Sequence, residues 1–189
     1  MRIFLKRLFI FLILLSWPFA LAQAATEQTA ANAAIPASPS TVSSSSIVSL
    51  NECTDSKLKV HFSCNPDWEL QTEHNTMLII IFQKPLVTMT VGKSDTHVLF
   101  VEQLTKDNLQ EMGQYAEGFT IEKGTLAGEN AVRVSGFPKD HPEVKFLDYY
   151  ILHDLHLYSV LFSVSPKERW NDYGALFNKI LQSFAFSET

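Results

Sequence analysis

The sequence predicts an α+β domain in which one antiparallel β-sheet is sandwiched between helices, an α-β-α arrangement. Eight short segments with strand-like apolar patterns, separated by turns, follow one another between residues 57 and 164. A stretch with helical periodicity interrupts them near residue 98, and a second one lies near the end of the chain. Strands joined by short turns pair antiparallel, and strands that are apolar on both faces need a covering layer on each side.

Composition excludes several classes of protein. The 189 residues are 46% hydrophobic and 19% charged, which suits one globular domain with an extra segment. The formal charge is −5, so no basic surface for nucleic acid is expected. Two cysteines are too few for a disulfide-dense miniprotein or a four-thiolate zinc site.

Residues 1–24 have the pattern of a secretory signal peptide. Three basic residues precede the apolar run Phe9–Phe19, and small residues then allow cleavage after Ala22 or Ala24. The alternative is an uncleaved membrane anchor, but Pro18 and the short apolar run disfavour it. Cleavage leaves 12 Lys and Arg against 20 Asp and Glu, which disfavours binding to anionic membranes. We therefore expect a periplasmic or secreted protein with no transmembrane domain after cleavage.

Residues 25–50 are predicted to be a flexible linker, which leaves residues 51–189 as the folded domain. Ala, Ser, Thr and Pro dominate the segment, and Glu27 is its only charged residue. Such a composition buries too little apolar surface to offset the entropy lost on ordering. A short Ala-rich helix is the alternative, but Pro36 and Pro39 would end it quickly.

The predicted strands fall into two groups around the first helical stretch. The central strand, 77–82, is apolar in both alternations and should be covered on both faces. The predicted strands are 57–63, 68–74, 77–82 and 86–91, and then 119–126, 131–137, 144–153 and 156–164. The first helix is predicted from apolar residues at near-helical spacing, with Thr105 as an internal cap: Val98, Val101, Leu104, Leu109 and Met112.

The last helix has the clearest start. Ser165 is predicted as its N-cap, Pro166 as its first residue and Glu168 as the partner in a capping box. One apolar stripe then runs along it, formed by Trp170, Tyr173, Phe177, Ile180, Leu181 and Phe184.

These elements, in this order, resemble the PsbP-like superfamily. The likeness rests on fold residues and spans roughly the whole domain: Pro66-Asp67-Trp68 before the strands, Met112-Gly113-Gln114-Tyr115 at a helix end, the turn Leu126–Ala131, Leu157-Tyr158-Ser159-Val160, and Ser165-Pro166 before a helix ending Ile180–Phe184. The resemblance implies an antiparallel sheet between helices and a non-enzymatic accessory or binding role. It transfers no functional residue, and therefore no photosynthetic role.

The predicted register of the last three strands places polar residues on one face. With Phe137 opposite Val144, Arg133 faces Asp148, and Tyr150 lies on the same polar face. The opposite face is predicted to be the main core, with Val132, Val134, Leu147, Tyr149, Ile151, Tyr158, Val160 and Phe162. The polar face is interpreted either as a structural ion pair or as a shallow groove, so Arg133, Asp148 and Tyr150 are the candidate binding residues.

Two further pairs of side chains, one of cysteines and one of histidines, can each be interpreted in two ways. An oxidising compartment and an even count favour a Cys53–Cys64 disulfide. An extended strand between the two cysteines opposes it unless Cys53 folds back beside that strand. His153 and His156 are predicted to face each other across a two-residue turn. They are interpreted as polar residues at the wet end of a hairpin rather than as metal ligands, because a third fixed ligand is missing.

No motif identifies an enzyme. The chain has no nucleophile elbow, no P-loop, no dinucleotide-binding glycine pattern and no Cys-x-x-Cys, and no cofactor is predicted. Two functions remain: an exported, non-catalytic binding or accessory module of the cell envelope, and a hydrolase-like envelope enzyme with an unrecognised site. Its partner would be a protein or small molecule of the envelope. Titratable groups that converge in one pocket would favour the enzyme.

Overall fold

The computed structural model describes residues 51–97, 99–104 and 113–187 of the chain. These residues form two antiparallel sheets and an α-helix. The strands are β1 (Asn51–Asp55), β2 (Val60–Cys64), β3 (Glu69–Glu73), β4 (Thr76–Gln83), β5 (Leu86–Asp95), β6 (Ala116–Leu126), β7 (Glu129–Pro138), β8 (Lys145–His153), β9 (His156–Ser165) and β10 (Ala185–Phe186). A short 3₁₀ helix, Lys167–Arg169, leads into the helix α1, Trp170–Ser183.

The larger sheet has seven strands in the order β3-β4-β5-β9-β8-β7-β6. Tight turns join β3 to β4, β4 to β5, β6 to β7 and β8 to β9, and a loop at residues 139–144 joins β7 to β8, which accounts for the antiparallel pairing. The chain leaves the sheet after β5 and returns at the far edge with β6, so β9 ends up beside β5 in the middle. The long predicted meander is therefore confirmed.

The smaller sheet has the order β1-β2-β10 and carries the disulfide. A turn at residues 56–59 folds β1 back along β2, which puts Cys53 beside the strand that ends at Cys64. The two Cα atoms are 5.7 Å apart and the sulfurs are bonded. The predicted bond is thus confirmed, and the geometric objection is removed by a strand, β1, that the sequence patterns did not reveal.

The main core lies between one face of the large sheet, the small sheet and α1. Helix α1 contacts β2 and β9, and the rings of Phe162 and Phe177 lie 4.6 Å apart between centroids. Tyr158 crosses this core, and its hydroxyl donates to the carbonyl oxygen of Leu58, 3.1 Å away. The core is completed by buried side chains of the central strands: Ile79, Val87, Met89, Val91, Ile151 and Val160.

The other face of the large sheet is also buried. Val132, Val134, Phe146 and Leu161 are each less than 9% exposed, although none belongs to the main core cluster. The antiparallel sheet is therefore confirmed, but its placement between helices is not supported, because β-structure dominates the described residues. Of the first predicted helix, residues 102–104 and 113–115 are helical. Val98 and residues 105–112, which include Thr105, Leu109 and Met112, lie outside the described residues.

The predicted capping box at the last helix is wrong. Ser165 is the last residue of β9, and Pro166 precedes the 3₁₀ helix, whose start has no side-chain cap. The α-helix begins only at Trp170. The apolar stripe is confirmed, since Phe177 and Ile180 are buried and Trp170, Tyr173 and Leu181 pack against the core.

The predicted register between β7 and β8 is wrong by one residue. Arg133 is opposite Tyr149, and Asp148 is opposite Val134. The loop between the strands runs from Lys139 to Val144, one residue further along than predicted. The slip moves Val132 and Val134 off the main core face and onto the second buried face, beside Asp148 and Tyr150. The pairing of β8 with β9, including His153 opposite His156, agrees with the prediction.

Candidate functional site

The three predicted binding residues lie on opposite faces of the sheet. Arg133 is on the face that carries Tyr149, and its side chain is 44% exposed. Its guanidinium pairs with Glu122 on β6 at 3.2 Å. Asp148 and Tyr150 occupy the other face. Arg133 is therefore half of a surface cross-strand ion pair, and such pairs contribute about 1 kcal/mol or less to stability.

Asp148 and Tyr150 belong to a buried polar cluster with Ser159 of β9. The three residues are 4%, 8% and 7% exposed, and the Ser159 hydroxyl donates to Oδ1 of Asp148 at 2.8 Å. Tyr150 also hydrogen-bonds to this carboxyl group. The cluster forms because Tyr150 and Ser159 are directly opposite each other, and Asp148 projects from the same face two residues earlier on β8.

Burial dominates the ionisation of this cluster. Loss of hydration raises the pKa of Asp148 from 3.8 to about 7, although hydrogen bonds from Ser159, Tyr150 and the backbone of Tyr149 act in the opposite direction. Burial, and next the neighbouring Asp148 charge, hold the pKa of Tyr150 well above its usual value. Titratable groups thus converge here, but on a face that solvent scarcely reaches.

The paired histidines contact different groups with their Nδ1 atoms, although both also lie beside Asp154. Nδ1 of His153 lies 3.3 Å from Glu129, and its ring stacks on Phe186 with centroids 3.8 Å apart. Nδ1 of His156 lies 2.7 Å from the carbonyl oxygen of Asp154. Among residues 51–97, 99–104 and 113–187, no group of three or more His, Cys, Asp or Glu side chains could hold a metal ion.

An open cleft of about 510 Å³ lies on the main-core side of the sheet, at the end of the β6–β7 hairpin. The hairpin turn forms one wall. Its two central residues, Ala127 and Gly128, both have positive φ, which is the backbone geometry of a two-residue hairpin turn. Tyr149 of β8 forms another wall, and the last turns of α1 form the third. Three regular elements therefore fix the shape of the cleft.

The cleft has an apolar base and an uncharged polar rim. Leu126 and Phe184 are buried, and Leu181 is partly buried beside them. Thr125, Asn178 and Gln182 also line the cleft and are exposed. Asn178 and Gln182 are four residues apart on α1, so they are neighbours on its surface. Across the described part of the chain, neither amide is hydrogen-bonded to another protein group.

Sequence patterns did not identify this cleft. Asn178 and Gln182 resemble any solvated helix positions until the helix is docked beside the β6–β7 turn. The signal that could have suggested them is a pair of amides at i, i+4 next to the apolar stripe of the same helix.

Comparison with solved structures finds the same fold in distant proteins. The chain superposes on the PsbP protein CyanoP of the cyanobacterium Synechocystis with a TM-score of 0.50 and 14% identity, over 76% of this chain and 97% of that one. It superposes on the yeast Ran-binding protein Mog1p with a TM-score of 0.51 and 8% identity, over 75% and 97% of the two chains. A Pseudomonas aeruginosa protein of unknown function gives a TM-score of 0.53 and 8% identity, over 74% and 99%.

The chain therefore has a PsbP-like fold, as its sequence pattern predicted. No protein-family model and no curated protein sequence matches it. At sequence identities of 8–14%, these comparisons show a shared architecture and nothing about function, because one fold supports many unrelated functions.

Proposed function

We propose that this protein is an exported accessory module of the cell envelope that binds its ligand non-catalytically through the cleft between α1 and the β6–β7 turn. The observation that carries the proposal is the lining of this cleft. It offers hydrogen-bonding groups around an apolar base, but no carboxylate, imidazole, ammonium or guanidinium. General acid–base or nucleophilic chemistry at neutral pH ordinarily requires such a group within reach of the substrate.

The envelope location is supported by two independent features. Residues 1–24 have the sequence pattern that is typical of signal peptides of exported proteins. The Cys53–Cys64 disulfide is of the kind that persists in oxidising compartments. Within the described ranges, no helix is long and apolar enough to cross a membrane.

Site-specific photo-crosslinking in living cells tests the binding role. A benzophenone amino acid replaces Gln182 in the cleft, and the control carries it at Asn171, which is exposed on the same helix but outside the cleft lining. We expect crosslinked envelope material from position 182 and little from position 171. Equal crosslinking at both positions, or none at either, would contradict the proposal.

A second candidate function, an envelope hydrolase, is favoured by the convergence of Asp148, Tyr150 and Ser159. The Ser159 hydroxyl donates a hydrogen bond to the carboxyl group of Asp148, and this pair resembles a nucleophile beside a base. The burial of all three residues argues against it, because a substrate would have no route to Ser159. A fluorophosphonate probe decides between the two functions. We expect no labelling, whereas labelling that Ser159→Ala abolishes would establish the hydrolase.

A further inference from the structure

We propose that the cleft takes a neutral saccharide, with one sugar ring against Tyr149 and its hydroxyl groups hydrogen-bonded to Asn178 and Gln182. This inference rests on the proposed binding role and specifies the ligand class.

The absence of charged side chains from the cleft lining favours a neutral ligand. The nine residues that line the cleft, namely Thr125, Leu126, Ala127, Gly128, Tyr149, Asn178, Leu181, Gln182 and Phe184, include no acidic and no basic side chain. Phosphates and carboxylates are bound by Arg, Lys or clustered backbone amides, and ammonium groups by carboxylates or aromatic cages. The lining therefore selects against ionic ligands and in favour of neutral ones.

The hydrogen-bonding groups provide the second argument. Each side-chain amide of Asn178 and Gln182 offers both a donor and an acceptor, and the hydroxyl groups of Thr125 and Tyr149 do the same. In the described part of the chain none of these four side chains is hydrogen-bonded to another protein group, so they are available to a ligand. Sugar hydroxyls also donate and accept at once, so they match such groups.

The shape of the site provides the third argument. A sugar ring has apolar C–H faces and a polar rim. The cleft likewise combines an apolar base and the ring of Tyr149 with the exposed amides of Asn178 and Gln182 at its rim. The ring of Tyr149 lies beside Gly124 of β6, where an added Cβ would sit 3.9 Å from Cε1, and the side chain packs against the core. A volume of about 510 Å³ with an open mouth suits a short segment of a longer oligosaccharide.

A neutral peptide is the competing ligand. An extended peptide binds to a sheet by adding a strand along a free edge, with a row of backbone hydrogen bonds, and of this cleft only Thr125 and Leu126 belong to the edge strand β6. The polar side chains of this cleft instead come from three different elements, β6, β8 and α1, at separate positions. This arrangement favours a ligand whose hydroxyl groups radiate from a ring.

Titration of the purified protein followed by ¹⁵N NMR tests the proposal. The probes are the tetramer of N-acetylglucosamine, maltotetraose, cellotetraose and, as the competing class, blocked tetra-alanine. We expect at least one saccharide to shift the amide signals of Thr125, Gly128 and Gln182. In Asn178→Ala/Gln182→Ala we expect its Kd to rise about tenfold, since two hydrogen-bonding side chains are lost.

Asn171→Ala is the matched control and should leave the saccharide Kd unchanged. Both Asn178 and Gln182 are exposed, so the double variant should keep the native spectrum outside the cleft. Saccharide binding that the double variant does not weaken, or binding of tetra-alanine alone, overturns the inference. So does the absence of saccharide binding at millimolar concentration. If position 182 still crosslinks in cells in that case, the binding role survives and only the ligand class is wrong.

Discussion

Asp148 is the only acidic residue that is buried among the described residues. It lies within the stretch Lys145–His153, which is otherwise mostly apolar, on a face lined by valine, phenylalanine and leucine. Its hydrogen bonds to Ser159 and Tyr150 satisfy the group but do not replace the lost hydration. The ionisation of Asp148 is therefore coupled to the stability of the folded state.

This coupling predicts how Asp148→Asn changes the free energy of unfolding with pH. Since the pKa of Asp148 rises from 3.8 to about 7 on folding, the folded state keeps a proton that the unfolded chain releases between these values. The group therefore stabilises the protein fully below pH 4, and this contribution is lost as the pH rises through 7, by up to roughly 4 kcal/mol. Urea unfolding at pH 4, 6 and 8 should show Asp148→Asn gaining stability relative to the wild type as the pH rises.

Asp140→Asn is the control for this experiment, because Asp140 is exposed in the loop before β8. If both variants follow the same pH dependence, the buried carboxyl is not the source of the effect.

Single side chains were the least predictable part of the sequence. Asp148 and Tyr150 were selected together and do share a cluster, but their predicted partner Arg133 lies on the other face. The register prediction assumed that Val132 and Val134 mark the main core. Both faces of this sheet are buried, so valines at alternate positions satisfy either face, and alternation alone cannot fix the register.

At the scale of elements, the bulge in β6 explains why this edge strand starts earlier than its pattern predicts. Pairing shifts between Glu117 and Thr120, so Gly118 and Phe119 together face Gly136 on β7. Gly118 has a φ of +55°, and the backbone at Phe119 passes close over Gly136. A Cβ at Gly136 would lie 3.0 Å from the Phe119 Cα atom, so a larger residue fits only if the neighbouring backbone gives way by a few tenths of an ångström.

Two glycine substitutions should therefore have opposite effects. Gly136→Ala forces two backbones apart and should lower the free energy of unfolding by about 1–3 kcal/mol. Gly174→Ala adds a methyl group within α1 where nothing lies within 4 Å, and should raise it by up to about 1 kcal/mol. Chemical denaturation of both variants measures the difference. Equal effects would mean that the bulge does not depend on Gly136.

Elements with a strong period were predictable, and short ones were not. All strands from β2 to β9 were expected from alternation or continuous apolar runs, with bounds that differ by a few residues. β1 and β10 were missed because they have five and two residues and owe their structure to pairing with β2. Tertiary contacts, rather than local propensity, define such strands.

At the scale of the molecule, the small sheet depends on both ends of the domain. β1 begins the described part of the chain and β10 follows α1, and β2 pairs with both. The disulfide joins β1 to the end of β2 across a sequence separation of 11. It therefore secures a strand whose own burial is slight.

Removing this bond should weaken the domain without changing its fold. Cys53→Ala/Cys64→Ala should lower the free energy of unfolding by about 3 kcal/mol, as expected for a loop of this length. Thermal unfolding with and without reductant provides the measurement. The wild type should lose stability in reductant and the double variant should not. If reductant affects both equally, the stabilisation does not come from the disulfide.

The fold of the described domain was recognisable from sequence, whereas the cleft between α1 and the β6–β7 turn was not. The order of strands and the last helix already resembled the PsbP-like pattern, because each of these elements has an apolar periodicity that can be recognised in the sequence. The cleft depends on how α1 docks beside a turn about 50 residues earlier. No local pattern encodes that juxtaposition, and function resides in such sites rather than in the fold.

The intact mass of the protein recovered from fractionated cells tests export to the envelope most directly. We expect a chain in the periplasm or medium that begins at Gln23 or Ala25, with Cys53 and Cys64 oxidised to a disulfide. Recovery of the chain in the cytosol, starting at Met1 and with two free thiols, would contradict it.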